Sequence, residues 1–109
     1  MKKTLVRYKV HANKVEENEQ LVRAVYRELR ENDQADFQYM TLKLPDGQSF
    51  VHIAFAGSAE ANAAFTQLPA FQKFLENLKE RCEELPVANA VELIDAYNPP
   101  IFSQPLSVV

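Results

Sequence analysis

The sequence contains one cysteine, two glycines, two histidines and no tryptophan. With Cys82 alone, no disulfide can form within the chain, and a reducing, cytoplasmic setting is the simplest expectation. The two glycines, Gly47 and Gly57, lie in no phosphate-binding pattern. The two histidines, His11 and His52, are far apart in sequence and have no spaced carboxylate motif beside them. We therefore predict neither a metal site nor a bound cofactor.

Long apolar runs and an excess of positive charge are also missing. The N-terminal MKKTLVRYKVHANK interleaves charged and apolar residues, so it forms no signal-peptide core, and no run approaches the length that crosses a bilayer. A net charge of −3 gives no electrostatic reason to bind nucleic acid or anionic membrane. The 109 residues predict a single soluble domain over residues 1–97 and a proline-containing tail over residues 98–109.

The N-terminal third predicts a strand followed by a helix. In TLVRYKVH, alternation places Tyr8 on an apolar face and Arg7 on the opposite, mixed face. Asn13 resembles a helix N-cap, and the helix is expected to run to about Asn32. Its apolar arc consists of Val15, Leu21, Val22, Val25, Tyr26 and Leu29. Asn18 falls inside this arc, so its amide should face the sheet.

The segments FQYMTLKL and SFVHIAF, joined by PDGQ, predict a β-hairpin. A turn with Gly47 in the left-handed conformation would pair Leu44 with Gln48, and therefore Met40 with His52. In that register His52 shares a face with Met40, and Tyr39 lies on the opposite face. Both faces are largely apolar, whereas a hairpin with one face in water should alternate more clearly.

The remainder predicts two helices and a last strand. Ser58 suits the N-cap of a short helix, and Pro69 the first turn of a second helix that ends near Glu84. The last strand is expected in VANAVELIDAY, residues 87–97. The order βαββαβ predicts a ferredoxin-like α+β fold with an antiparallel four-stranded sheet. Because two helices cover only one sheet face, we predict a homodimer through sheet-to-sheet packing.

Two segments carry a resemblance to known proteins: the opening strand that leads through HANK into a helix, and FAGSAEANAAFTQLPAFQKFLENLKE. Over about residues 4–97 the chain resembles the dimeric α+β barrel superfamily and, within it, the antibiotic-biosynthesis-monooxygenase-like domains. The resemblance implies a homodimer and, for some members, cofactor-independent oxygenation of a quinol-type substrate. Where many members carry two histidines, this chain has Phe65 and Ala70. Without tryptophan, the Asn-Trp-His set of haem-degrading relatives cannot form.

Five side chains are candidates for catalysis or for an aromatic pocket. His52 could be a general base or a hydrogen-bond donor to a bound phenol or quinol, because free imidazole titrates near neutrality. Alternatively, it is a packed histidine at the sheet–sheet contact beside Met40. Asn18 could contact a ligand or bond a nearby backbone group. Three aromatic residues could line a pocket or simply belong to the core: Tyr8, Tyr39 and Phe71.

Arg7 is a further candidate, for an anionic ligand group, although a pairing with Glu92 on the last strand is a simpler interpretation. An RNA-binding strand is excluded because Asp46, Gln48 and Ile53 occupy positions that require basic or aromatic residues. Two function hypotheses remain. The first is a small oxygenase in which dioxygen reacts directly with an activated aromatic ligand. The second is a non-catalytic dimeric module that binds a small apolar ligand or a protein partner.

Overall fold

The computed structural model describes residues 1–33 and 35–97, so the predicted tail over residues 98–109 lies outside the described residues. The strands are β1 (Lys2–Val10), β2 (Phe37–Lys43), β3 (Ser49–Ala56) and β4 (Cys82–Ala90). The helices are α1 (Val15–Asn32), α2 (Ala59–Thr66), α3 (Pro69–Leu75) and α4 (Leu78–Arg81). All strand pairs are antiparallel, in the order β2-β3-β1-β4. This is the predicted ferredoxin-like α+β fold.

The first strand and helix follow the predicted patterns closely. Tyr8 on β1 is buried in the core, and so are Val22 and Val25 of the apolar arc on α1. The predicted N-cap is wrong, because Asn13 lies inside a short 3-10 turn, Ala12–Lys14, that precedes α1. Among the described residues, no helix combines the length and hydrophobicity that a bilayer crossing requires.

The hairpin loop is one residue longer than predicted. The Leu44 N–H donates to the Ser49 carbonyl at 2.9 Å, so residues 45–48 form the loop. The Asp46 carboxylate organises this loop by accepting hydrogen bonds from the Ser49 hydroxyl (2.6 Å), the Ser49 N–H (2.8 Å) and the Gln48 N–H (2.9 Å). These bonds hold the pKa of Asp46 at about 2.

The longer loop changes which side chains share a face. His52 pairs with Thr41, and Met40 pairs with Ile53, so the predicted pairing of Met40 with His52 is wrong. Since side chains alternate along a strand, this slip of one residue moves every side chain of β2 to the opposite face. Tyr39 and His52 therefore lie on the same side of the sheet.

The last part of the chain also differs from the prediction. The helix expected to reach Glu84 is broken at Asn77, which adopts a left-handed φ of 60°, and only α4 follows it. The last strand begins at Cys82, not at residue 87, because Cys82 pairs with Val10 on β1 and continues the inner face of the sheet. Residues 91–97 follow β4 without strand or helix.

The two faces of the sheet have different surroundings. The inner face packs against the helices around a core that includes Tyr8, Phe50, Phe65 and Phe74. On the outer face, strand alternation and cross-strand pairing bring apolar side chains together. These are Leu5, Met40, Leu42, Val51, Ile53, Phe55 and Val87. The side chains at the two sides of this outer apolar face are well exposed in the single chain, with Leu42 at 46% and Val87 at 59%.

Candidate functional site

His52 lies on the inner face of β3, toward the helices. It is only 6% exposed. Its ring stacks on Tyr8, with centroids 5.3 Å apart and planes 19° from parallel, and lies 5.5 Å from the ring of Phe74. The alternative of a histidine beside Met40 at a sheet–sheet contact is therefore wrong, since Met40 is on the outer face.

Both ring nitrogens of His52 are hydrogen-bonded. Nε2 lies 2.8 Å from Tyr8 Oη, and Nδ1 lies 2.7 Å from Tyr39 Oη and 3.1 Å from Thr41 Oγ1. Thr41 Oγ1 in turn lies 2.8 Å from Tyr26 Oη on α1. His52 thus joins Tyr8 in the core to hydroxyl groups at the edge strand β2.

On the other side of Tyr8, the contacts lead to a buried arginine. Asn18 Nδ2 donates to Tyr8 Oη at 2.8 Å, and Arg81 Nε donates to Asn18 Oδ1 at 3.2 Å. Arg81 is 2% exposed and also donates to the carbonyls of Phe74 (2.7 Å) and Glu76 (3.0 Å). It forms no salt bridge with any residue that the structure describes, and these carbonyls at the end of α3 offset its charge.

We call these seven connected residues the buried polar chain: Arg81, Asn18, Tyr8, His52, Tyr39, Thr41 and Tyr26. Its hydrogen bonds run in one direction. A guanidinium can only donate, so Asn18 must turn Oδ1 toward Arg81 and Nδ2 toward Tyr8. Tyr8 Oη then accepts from Asn18 and donates its own proton to Nε2 of His52. Neutral His52 consequently carries its proton on Nδ1.

From Nδ1 the same direction continues toward the protein surface. Nδ1–H donates to the hydroxyl oxygens of Tyr39 and Thr41, and these hydroxyls keep their own protons for donation. If Thr41 donates to Tyr26, the Tyr26 O–H is the last donor of the chain. The outer end of the buried polar chain therefore offers hydrogen-bond donors, not a base.

Burial favours the uncharged forms of the histidine and the three tyrosines of the chain. It lowers the pKa of His52 to about 4, so the imidazole is neutral at pH 7. Burial also raises the pKa of Tyr8, Tyr39 and Tyr26 above that of a free phenol. For Tyr8, the Asn18 hydrogen bond and the Arg81 charge offset part of this effect.

An open groove of about 780 Å³ lies at the outer end of the buried polar chain, between α1 and the edge strand β2. Its inner part is mostly apolar or aromatic and consists of Val22, Tyr26, Tyr39, Thr41 and Phe50. Its exposed rim carries the charged residues Glu19, Arg23, Arg27, Arg30 and Lys43, and Met40 and Leu42 of β2 also line it. A hollow of about 330 Å³ adjoins it and shares Tyr26, Arg30 and Tyr39. The volume of the groove lies within the range of small-molecule sites, and the groove is open to solvent.

The structure brings together four of the six candidate residues from the sequence: His52, Asn18, Tyr8 and Tyr39. Phe71 is half-buried among the helices, with its ring centroid 4.4 Å from that of Phe65, and does not line the groove. Arg7 is exposed on the outer face of β1, on the other side of the sheet from the groove. The predicted pairing of Arg7 with Glu92 is wrong, because Val87 is its neighbour on β4.

Sequence reasoning missed Thr41, Arg81 and the groove itself. Thr41 was assigned to the face opposite His52 because of the register error. Arg81 had a usable signal, since it follows Phe74 and Leu78 at helical spacing on an apolar stripe. Tyr26 was assigned only to the apolar arc, although a half-buried phenol usually has a partner for its hydroxyl.

Comparison with known proteins places this geometry in context. No family model matches the sequence, and no curated protein matches it. Solved structures do match. One antibiotic biosynthesis monooxygenase superposes with a TM-score of 0.72 at 11% identity, over 87% of this chain and 100% of that chain. Rv0793 from Mycobacterium tuberculosis gives a TM-score of 0.71 at 14% identity, over 86% and 95%.

A third match is a mutant of SnoaB, a cofactor-independent oxygenase from Streptomyces nogalater. Its TM-score is 0.66 at 17% identity, over 88% of this chain and 95% of that chain. The fold is that of the antibiotic-biosynthesis-monooxygenase structures. The resemblance predicted from HANK and the FAGSAEANAAF segment is confirmed at the level of the fold, and identities this low establish nothing finer.

Proposed function

We propose that this protein is a small oxygenase that binds an oxidisable aromatic ligand in the groove between α1 and β2. The observation that carries the proposal is the groove itself, which has aromatic walls and, at its inner end, the donor hydroxyls of the buried polar chain. The fold shared with SnoaB, which is described as a cofactor-independent oxygenase, supports this proposal.

The proposed chemistry uses dioxygen and the ligand's own electrons. A methylene group activated by neighbouring phenol rings would become a carbonyl, with one oxygen atom of dioxygen entering the ligand and the other leaving in water. Dioxygen reacts with the ionised ligand faster than with the neutral phenol. Donor hydroxyls aimed at the phenolate oxygen would stabilise that ionised form, as donors do wherever negative charge develops.

In this mechanism His52 has a positioning role. Its one lone pair, on Nε2, already accepts the Tyr8 proton, and its pKa of about 4 makes it a weak base. Of the two roles predicted for it, hydrogen-bond donation is therefore favoured over general base catalysis. His52 would hold Tyr39 and Thr41 with their protons directed outward, and Asn18 and Tyr8 would fix the imidazole tautomer. The ligand's proton would leave to water through the open groove.

Oxygen consumption and ligand binding together test the proposal. The probe is 1,8-dihydroxyanthrone, which has a methylene between phenol rings, with binding followed by absorbance and turnover by an oxygen electrode. Replacing Tyr26→Phe should lower kcat by about tenfold or more, because it removes a donor to the developing anion. Tyr97→Phe is the matched control, since Tyr97 is almost fully exposed and does not line the groove. Absence of both binding and turnover would reject the proposal.

A second candidate is a non-catalytic module that binds an aromatic ligand in the same groove. The observation in its favour is that the buried polar chain presents no base at its outer end. Saturable binding of the anthrone with no oxygen consumption above the protein-free rate would support this candidate over the oxygenase.

We also propose that the protein is a homodimer through its outer apolar face. The face extends over all four strands, with Arg7 between Val51 and Val87, and no described helix covers it. A second copy is the partner that carries the same apolar surface, and two-fold symmetry allows a face to pack on itself. The dimeric α+β barrel arrangement predicted from the sequence has this geometry.

A further inference from the structure

We infer that the ligand of this groove carries a negatively charged group, a carboxylate or comparable oxyanion, which Arg27 and Arg30 of α1 bind. This inference rests on the proposed function, because it specifies the class of ligand for the same groove. It concerns ligand recognition and is independent of whether the ligand is turned over.

The charge around the groove favours an anionic ligand. The groove is lined by four cationic side chains and one carboxylate: Arg23, Arg27, Arg30, Lys43 and Glu19. The whole chain, in contrast, has a net charge of −3. A positive groove in an acidic protein concentrates anions at that one place.

The single carboxylate of the groove already has cationic partners. Glu19 accepts a hydrogen bond from Lys43 at 2.6 Å and lies 3.5 Å from Arg23, and the Lys43 contact lowers its pKa. Arg27 forms no ion pair with any residue that the structure describes, and Arg30 lies over the ring of Tyr26 at 5.7 Å. One carboxylate offsets one of the four cations, so three positive charges remain in the groove, and Arg27 and Arg30 are the two cations that Glu19 does not contact.

The spacing of two arginines on α1 suits a carboxylate. Arg27 and Arg30 are three residues apart on α1, so they extend from the same face of the helix, beside Tyr26. A guanidinium presents parallel N–H donors that match the two oxygens of a carboxylate. Since all of these groups donate, the part of the ligand near them must be an acceptor, and an anion satisfies this best.

A matched pair of probes tests the inference: 3-hydroxy-2-naphthoate and its neutral analogue 3-hydroxy-2-naphthamide. Isothermal titration calorimetry would measure both dissociation constants at low and at moderate salt. The carboxylate should bind about tenfold more tightly than the amide, and the preference should shrink as salt is added. In the double variant Arg27→Gln/Arg30→Gln the preference should fall to about twofold or less.

The control is the double variant Lys73→Gln/Lys79→Gln, which removes the same charge from exposed positions outside the groove lining. It should keep the preference of the wild type. Equal affinity of the wild type for both probes would overturn the inference while leaving the groove as a ligand site. A preference that survives in the arginine variant would overturn the assignment to Arg27 and Arg30. If neither probe binds, the proposed function itself fails.

Discussion

The phenolic oxygen of Tyr8 lies 2.8 Å from Nε2 of His52, and this contact determines what the histidine can do. Tyr8 also accepts a hydrogen bond from Asn18, whose orientation is set by Arg81. The Tyr8 proton must therefore be directed at Nε2, and the imidazole proton at Nδ1. His52 is consequently one link in a connected set of donors and is not free to accept a proton from a ligand.

Protonation of His52 should destabilise the fold. In the folded protein its pKa is lowered from 6.5 to about 4 by burial, so the unfolded chain takes up this proton at a higher pH. The stability that neutral His52 contributes is complete above about pH 6.5 and is lost as the pH falls from there to about 4. That pKa difference corresponds to about 3 kcal/mol of unfolding free energy.

Urea unfolding of the wild type and of His52→Gln between pH 8 and pH 4 measures this effect. The variant should be less stable at pH 7, because it disrupts buried hydrogen bonds, but its stability should fall less steeply below pH 6.5. The exposed His11 and the surface carboxylates are the same in both proteins, so the difference between the two curves reports His52 alone. Parallel curves would show that His52 titrates normally.

The direction of the buried polar chain gives a second prediction. Asn18→Asp replaces the amide donor toward Tyr8 with a carboxylate oxygen beside Arg81. The Tyr8 O–H should then donate to this carboxylate, and His52 should move its proton from Nδ1 to Nε2. Nitrogen-15 chemical shifts of the imidazole distinguish the two tautomers directly.

The wild type serves as the reference for the tautomer measurement and should show Nδ1–H. Asn18→Leu, which removes both the donor and the acceptor, is the second control. It should destabilise the protein by about 1–3 kcal/mol because Arg81 Nε loses its partner. A wild-type spectrum with the proton on Nε2 would contradict the direction derived from Arg81.

The hairpin shows which structural features the sequence pattern predicts in this protein and which it does not. The sequence pattern correctly predicted the two hairpin strands, and PDGQ correctly predicted a turn with Gly47 in the left-handed conformation. The loop length was not encoded in alternation, because both faces of the hairpin are apolar and either register buries apolar side chains. The Asp46 side chain sets the loop length by accepting hydrogen bonds from Gln48 and Ser49. In the predicted register His52 would lie beside Met40. In the observed register, which is shifted by one residue, it is bonded to Tyr39 and Thr41.

Only part of the candidate site was predicted from the sequence. Asn18 was identified because a polar group inside an apolar arc requires a partner, and Tyr8 because an aromatic side chain could line a pocket. The partners themselves come from distant segments, as with Arg81, which is 63 residues from Asn18. The position of Arg81 depends on the break in the helix at Asn77. Helical periodicity does not predict this break, because Phe74, Leu78 and Cys82 continue the apolar stripe.

The left-handed conformation of Gly47 gives a third prediction. Its φ is 75°, and no heavy atom lies within 4 Å of the place where a Cβ would be added. The cost of Gly47→Ala is therefore purely conformational, and we expect a loss of about 1 kcal/mol in the free energy of unfolding. Gly47→Asn should lose less, because asparagine tolerates this conformation. Urea denaturation measures both, and equal stability of Gly47→Ala and the wild type would show that the loop can adopt another turn.

Dimerisation through the outer apolar face gives the last prediction. Ile53 lies on a central strand, opposite Leu5 on β1 and Met40 on β2, so its side chain is near the middle of that face. Ile53→Lys should convert a dimer into a monomer, because a buried, unpaired ammonium group opposes association. Sedimentation velocity at micromolar concentration measures the change, and Glu60→Lys on the exposed side of α2 is the control for added positive charge. A wild type that sediments as a monomer would contradict the proposed dimer. A variant that remains dimeric would show that the two copies meet elsewhere, because a lysine at this position would otherwise be enclosed by the partner sheet.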